Sequence, residues 1–185
     1  MLTIFLQMGF IQQKQASNHV IGRCPFCGKD EHFFINTESA NKAWDCKSCG
    51  LSGGYKKLLE TAVKIGKENF AANSKALVDN RKISAFTFSK MDVGFLPVKK
   101  VFIIPVYSYD GKEIVNIKFY GFDSMRNAAG LSSAMYGLWR LPKDASSYKN
   151  VFIAEGEWDA LALVEIVDKL KMKDTVVIGV PGAGT

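Results

Sequence analysis

The chain has 185 residues, a length that holds one medium domain or a small domain with part of a second. With 48% hydrophobic residues and 24 Lys and Arg against 18 Asp and Glu it reads as globular, and its formal charge of +6 suits a polyanionic partner without requiring one. No segment approaches the roughly 18 consecutive apolar residues of a membrane-spanning helix. The apolar start MLTIFLQMGFI is preceded by no Lys or Arg, contains Gln7 and Gly9 and lacks a small-residue cleavage site, so no membrane partner is expected and a cytoplasmic location is the default.

Residues 1 to 23 read as a short helical or extended lead-in. Residues 24 to 53 follow as a compact unit of paired cysteines, strand-like FFIN and AWDC, and terminal glycines, too small for a core of its own. All four cysteines lie in it, as Cys24-x2-Cys27 and Cys46-x2-Cys49. Two such knuckles each present two thiolates from one tight turn, which meets the tetrahedral need of zinc, and the pattern fits a reducing compartment better than a disulfide framework. Gly28 and Gly50 each follow the second cysteine of a pair, where a knuckle turn favours a positive φ. His32 lies nearby, but four thiolates already complete the shell. Phe33, Phe34 and Trp44 sit on the expected strands, where they either roof a small core or stack on unpaired bases.

Tyr55 to Ile65 places Leu58, Leu59, Ala62, Val63 and Ile65 at mostly helical spacing and is expected to stop at Gly66. Residues 67 to 80, polar and weakly periodic, read as a linker. From Arg81 the texture changes. VFIIPVYSYDGKEIVNIKFYGFD holds two strand-like runs around Asp110-Gly111, a hairpin signal, and a polar loop follows at about residues 123 to 134. The last segment reads as strand (Val151 to Ala154), helix (Glu157 to Leu170) and strand (Thr175 to Val180), an order that builds parallel sheet. A buried strand is thus expected directly before Glu155-Gly156, so that the carboxylate projects from the strand's carboxyl end, where open α/β sheets bind ligands. The alternative is that Glu155, Glu157 and Asp159 only complement the positive end of a helix macrodipole.

The order of these signals resembles a known family. CPFCGKDEHFFINTESANKAWDCKSCGLSGG looks like the zinc ribbon of bacterial DNA primases and phage primase-helicases, RKISAFTFSKMDVGFLP like the short helical region that opens their polymerase domain, and the hairpin like the one that follows it. VFIAEGEWDALALVEI is similar to the first motif of the TOPRIM fold, E-G-x-x-D. The fold expected from this resemblance is α+β with an α/β end: a four-cysteine zinc ribbon with flanking helix (1–66), a linker (67–80), the N-terminal part of a primase polymerase domain (81–148), and a partly present TOPRIM β-α-β (149–185).

The resemblance implies an RNA-primer polymerase acting on single-stranded DNA template and nucleoside triphosphates, with a replicative helicase in cis or trans and a phage or mobile-element setting. It implies zinc on Cys24, Cys27, Cys46 and Cys49, and magnesium on Glu155 with Asp159 in support. Lys118 and Arg126 match basic positions of the nucleotide-binding region, and Arg23, Trp44 and Lys47 fall in the DNA-reading part. The Val180-Pro-Gly-Ala-Gly184-Thr turn resembles the one after the second TOPRIM strand and is no P-loop, since no Gly-Lys-Ser/Thr follows.

The sequence departs from the family in two places. It holds no Asp-x-Asp motif, so residues 1 to 185 alone are not expected to extend a primer, and Ala43 stands where some phage relatives place a histidine. A non-catalytic zinc-ribbon DNA-binding module is the competing reading. A recombination mediator, in which the cysteines and the acidic motif lie almost adjacent, fits less well with about a hundred residues between Cys49 and Glu155.

Overall fold

The computed structural model describes residues 2–121, 124–128, 131, 134–141 and 148–181, with backbone only for 124 and 125. The lead-in is helix α1 (Thr3–Met8) followed by strands β1 (Ile11–Gln15) and β2 (His19–Arg23). These strands join β3 (Phe33–Asn36), β4 (Trp44–Cys46) and β5 (Ser52–Gly53) in an antiparallel sheet of order β1-β2-β3-β4-β5. Phe33 and Ile35 on β3, and Trp44 and Cys46 on β4, point inward with a period of two. The ribbon is indeed too small to bury these alone. Ile4, Phe5 and Met8 of α1 cover them from one side, and the core runs on through Leu58, Leu59, Ala62 and Val63.

Those four residues belong to α2 (Tyr55–Asn73), which does not stop at Gly66. A Cβ at Gly66 would lie 2.7 Å from Ile103 Cδ1, and one at Gly94 would lie 2.8 Å from the Gly66 Cα. The glycine is therefore a point of close approach between helix and sheet rather than a terminator. Residues 67–80, expected as a linker, are helical: α2 continues to Asn73 and α3 spans Lys75–Arg81, ending on Lys82 with φ 58°. Phe70 and Leu77 are buried, so this polar-looking stretch is anchored by two apolar side chains that its composition hides.

After α4 (Ala85–Lys90) come β6 (Gly94–Leu96), β7 (Val101–Tyr107), β8 (Ile114–Gly121) and β9 (Ser124–Asn127), an antiparallel sheet in that order. The β7–β8 hairpin is as expected, with Gly111 at φ 73° in its loop. The central strands of this sheet are covered on both faces, which is why they read as continuous apolar runs. Ile103, Ile117 and Phe119 face the core shared with the ribbon, whereas Phe102, Ile104, Val106 and Tyr120 face a second core built with α3, α4 and the final unit.

That unit is β10 (Asn150–Glu155), α5 (Glu157–Lys169) and β11 (Thr175–Val180), with β10 and β11 parallel and in register from Asn150↔Thr175 to Glu155↔Val180. Tyr136 bridges Gly179 on the outer edge of β11. One expectation fails: β10 is not a buried strand. Val151, Phe152 and Ile153 are exposed and only Ala154 is buried, so among the described residues the faces of β10 are left uncovered along most of its length, and it pairs with β11 alone. Parts of the polar loop at 123–134 and residues 182–185 of the final turn lie outside the described residues.

Candidate zinc and acidic sites

The cysteine sulfurs of Cys24, Cys27, Cys46 and Cys49 all lie within 4.8 Å of one another. Cys27 Sγ and Cys46 Sγ, from different knuckles, are 3.8 Å apart, which is about the edge of a tetrahedron with Zn–S bonds of ~2.3 Å. The two knuckles repeat the same pair of backbone hydrogen bonds. The Cys24 amide donates to Lys29 O and the Gly28 amide to Cys24 O, and the Cys46 amide to Leu51 O and the Gly50 amide to Cys46 O. Gly28 and Gly50 have φ of 74° and 73°, as the knuckle turn requires. The amides of Phe26 and Cys27 each approach Cys24 Sγ at 3.4 Å, donors suited to a thiolate. Burial raises the Cys24 thiol above its ordinary range, and bound zinc would reverse this by deprotonating its ligands outright. His32 is not part of the group; its carbonyl accepts the Lys47 amide.

The aromatic residues of the ribbon divide by strand alternation. Trp44 is 3% exposed, stacks on Phe33 at 5.4 Å and donates its Nε1–H to Gly54 O. It is a core residue with no face left for a base, which corrects its assignment to DNA. Phe34, between two inward residues, is half-buried with the Lys47 ammonium 5.9 Å from its ring centre. Lys47 is exposed and pairs with Asp45 at 2.7 Å, and Arg23 makes a forked contact with Asp30 at 2.7 and 3.1 Å.

The second site is a corner at the end of β10. Glu155 is exposed, and Gly156 turns the chain with φ 87°, donating its amide to Val180 O at 2.7 Å before α5 begins. A carboxylate is thus presented at the carboxyl end of a parallel strand beside a helix N-terminus, with Asp159 exposed one turn on. Magnesium takes about six oxygen ligands, of which carboxylates are a usual part. Glu155 and Asp159 offer such oxygens, but no third acidic side chain joins them among the described residues, so they do not by themselves make a magnesium site.

Of the basic residues expected to meet nucleotide, Arg126 is exposed on β9, beside Lys99, Gln7 and Phe119 in an open groove of about 390 Å³. Lys118 is elsewhere. Its side chain is 3% exposed and forms an ion pair with the equally buried Glu157, so it is not a surface cation for a phosphate. From the sequence Glu157 has only the reading of a helix-end charge, and nothing there singles out Trp158 or Arg81. The Arg81 guanidinium lies 4.8 Å from the Tyr120 ring centre and 4.3 Å from that of Trp158. A lysine inside a strand that is apolar on both faces was the available signal, because a buried ammonium requires a partner.

A family model described as a transposase zinc-ribbon domain matches residues 16–52. No curated protein matches the chain. Among solved structures, the chain is similar to the DnaG primase catalytic domain bound to single-stranded DNA, with a TM-score of 0.52 and 11% identity over 69% of this chain and 55% of that one. It is also similar to the E. coli primase catalytic core (TM-score 0.49, 13% identity, 66% and 53%). A third likeness is to the RNA polymerase domain of Mycobacterium tuberculosis DnaG with a double-stranded DNA oligomer (0.49, 15%, 68% and 55%). The chain therefore has a zinc ribbon and a primase-like fold, and spans about half the length of the catalytic domain it resembles. No helix among the described residues is long and apolar enough to cross a membrane.

Proposed function

We infer that the protein is a DNA primase of the bacterial and phage type, and that this chain carries its zinc ribbon and the opening of its polymerase domain. The observation behind this reading is the Glu155–Gly156 corner, an exposed carboxylate at the end of a parallel strand in a fold similar to a primase catalytic domain. In this reading the protein makes short RNA primers from nucleoside triphosphates on single-stranded DNA. Glu155, supported by Asp159, contributes to a magnesium site that further acidic residues complete. Bound magnesium would stabilise the charge that develops as a 3′ hydroxyl attacks the α-phosphorus. The ribbon holds template through Arg23 and Lys47, and Arg126 faces the nucleotide side. A helicase partner in cis or trans, a phage or mobile-element source and a cytoplasmic location belong to the same reading.

The experiment is primer synthesis by a form that includes an Asp-x-Asp segment. Glu155→Gln is expected to abolish it while zinc content and DNA binding stay near normal, since the change keeps the size and removes the charge. Full activity of that variant would reduce Glu155 to a helix-end charge. A non-catalytic DNA-binding module is favoured by one contrast: the zinc site is complete and matches a DNA-transaction ribbon family, whereas the acidic pair stands alone. Absence of primers from the extended wild-type form would select it.

A further inference from the structure

Lys118 and Glu157 form the one ion pair among the described residues with both side chains inside the molecule, a charge contact in which Glu157 Oε1 makes no hydrogen bond. Taking two charges out of water is costly, and their attraction offsets the loss only when the geometry is good, so such a pair is weak evidence for stability; the best-attested use of one is to set a register. Its place in the fold indicates which one. On β8, Ile117 and Phe119 face the core shared with the ribbon, while Lys118 and Tyr120 lie on the opposite face. Lys118 meets Glu157, and the Tyr120 ring meets Trp158 at 4.6 Å. Arg81 lies over both rings and donates to Tyr120 Oη at 2.8 Å. The two residues between Gly156 and Asp159 are therefore both gripped by β8. A side chain on Gly156 would meet open space, while its backbone packs closely on β11: a Cβ at Gly179 would lie 2.8 Å from the Gly156 carbonyl oxygen. The corner is tied by the Gly156 amide to Val180 on one side and by Glu157 on the other.

We propose that Lys118 is a positioning residue for Glu155: through Glu157 it pins the first turn of α5 to β8 and so fixes the direction in which the strand-end carboxylate points. Its importance for catalysis rests on the primase reading, but its test does not. In the zinc-loaded chain, amide hydrogen exchange at Gly156 is compared with exchange at reference amides in β3 and β7 for Lys118→Met, Glu157→Gln and the double variant, together with the Glu155 carboxyl-carbon resonance.

Lys118→Met is expected to speed exchange at Gly156 at least tenfold more than at the reference amides and to shift the Glu155 resonance. Should that variant fail to fold, the double variant decides, since it leaves no unpaired buried charge; it is expected to fold with protected reference amides and an unprotected Gly156. Wild-type protection of Gly156 in the double variant, or equal loss at Gly156 and the reference amides in Lys118→Met, would overturn the proposal. So would loss of ATP binding in Lys118→Met with Gly156 unchanged, which would make Lys118 a ligand. Glu155→Gln leaves the pair in place and should leave Gly156 exchange at the wild-type level, so failure of the catalytic reading and failure of this one give different results.

Discussion

The zinc ribbon and the Glu155 corner use the same local device, a functional side chain beside a glycine with positive φ, and reach different degrees of completion. In the ribbon, four ligands come from two knuckles about twenty residues apart that make the same hydrogen bonds, and all four sulfurs converge. At the corner one strand end presents one carboxylate, and its neighbours Glu157 and Trp158 are turned inward to β8. A site made by adjacent hairpins closes locally. A site at the end of a parallel sheet draws on strands far apart in sequence, so its parts are held by whatever the first strand packs against.

The largest effect expected from breaking this comparison is loss of zinc. Structural zinc sites contribute on the order of 10 kcal/mol of binding free energy to folding, comparable with the whole stability of a typical domain. Removing the ion with a chelator, or Cys46→Ser, is expected to unfold the ribbon. Because the ribbon's core continues through α2 to Ile103, Ile117 and Phe119, the loss should spread to the β7–β8 sheet in a single thermal transition. Calorimetry with metal analysis checks this, and two separate transitions would show that the regions are independent.

The joint between the regions can be tested more gently at Gly66. A leucine there must enter space occupied by Ile103 and Gly94, and overpacking of this kind costs about 1 to 3 kcal/mol. Gly66→Leu should lower the unfolding midpoint in urea yet leave one zinc per chain, since the knuckles lie elsewhere. An unchanged midpoint would mean that α2 shifts without cost.

Gly66 also shows what was legible in the sequence. The elements whose periodicity and punctuation agree, such as the β7–β8 hairpin and the β10-α5-β11 unit, were readable from local pattern, and so were the four zinc ligands, which are neighbours in sequence. Gly66 looked like a helix end because a close approach and a terminator call for the same residue, and only the opposing Gly94 distinguishes them. Trp44 and Lys118 were misjudged for a related reason. Residue type suggests stacking or phosphate contact, but which face of a strand is covered is settled by elements far away in sequence, here α1, α2 and α5. The exposure of Val151 and Ile153 reverses the case: an apolar run promised burial, but among the described residues nothing covers that face of the strand.

A smaller effect concerns the helix behind the corner. Glu165 on α5 accepts the Ser84 amide at 2.6 Å and pairs with Lys169 at 2.7 Å, so that α5 helps cap α4. Burial pushes its carboxyl up, but Lys169 and the Ser84 amide more than offset this and hold it at about 2. A carboxyl depressed on folding contributes stability that is complete above its unfolded value of about 4.5 and is lost as pH falls toward 2. Glu165→Gln should cost about 1 to 2 kcal/mol near neutral pH and little near pH 2. Melting curves between pH 6 and pH 2 measure this, and a constant difference between the two proteins would assign the loss to packing.

The smallest effect is expected on the face of the ribbon assigned to DNA. Arg23 and Lys47 are the candidate contacts, yet each already has an acidic neighbour, Asp30 with a forked hydrogen bond and Asp45 at 2.7 Å. Exposed pairs of this kind are worth about 0 to 1 kcal/mol, weak enough for a phosphate to compete but strong enough to tax binding. Lys47→Ala should therefore weaken binding of single-stranded DNA a few-fold and reduce the slope of log affinity against log salt by about one counterion. Asp30→Asn acts in the opposite sense: it frees the Arg23 guanidinium and removes a negative charge from the approach path, so affinity should rise a few-fold at low salt, and the gain should shrink as salt screens it. Fluorescence anisotropy with a short oligonucleotide across a salt series measures both variants. If Asp30→Asn leaves affinity unchanged at low salt while Lys47→Ala lowers it, the contact surface lies on the Lys47–Phe34 side and Arg23 is only a partner for Asp30.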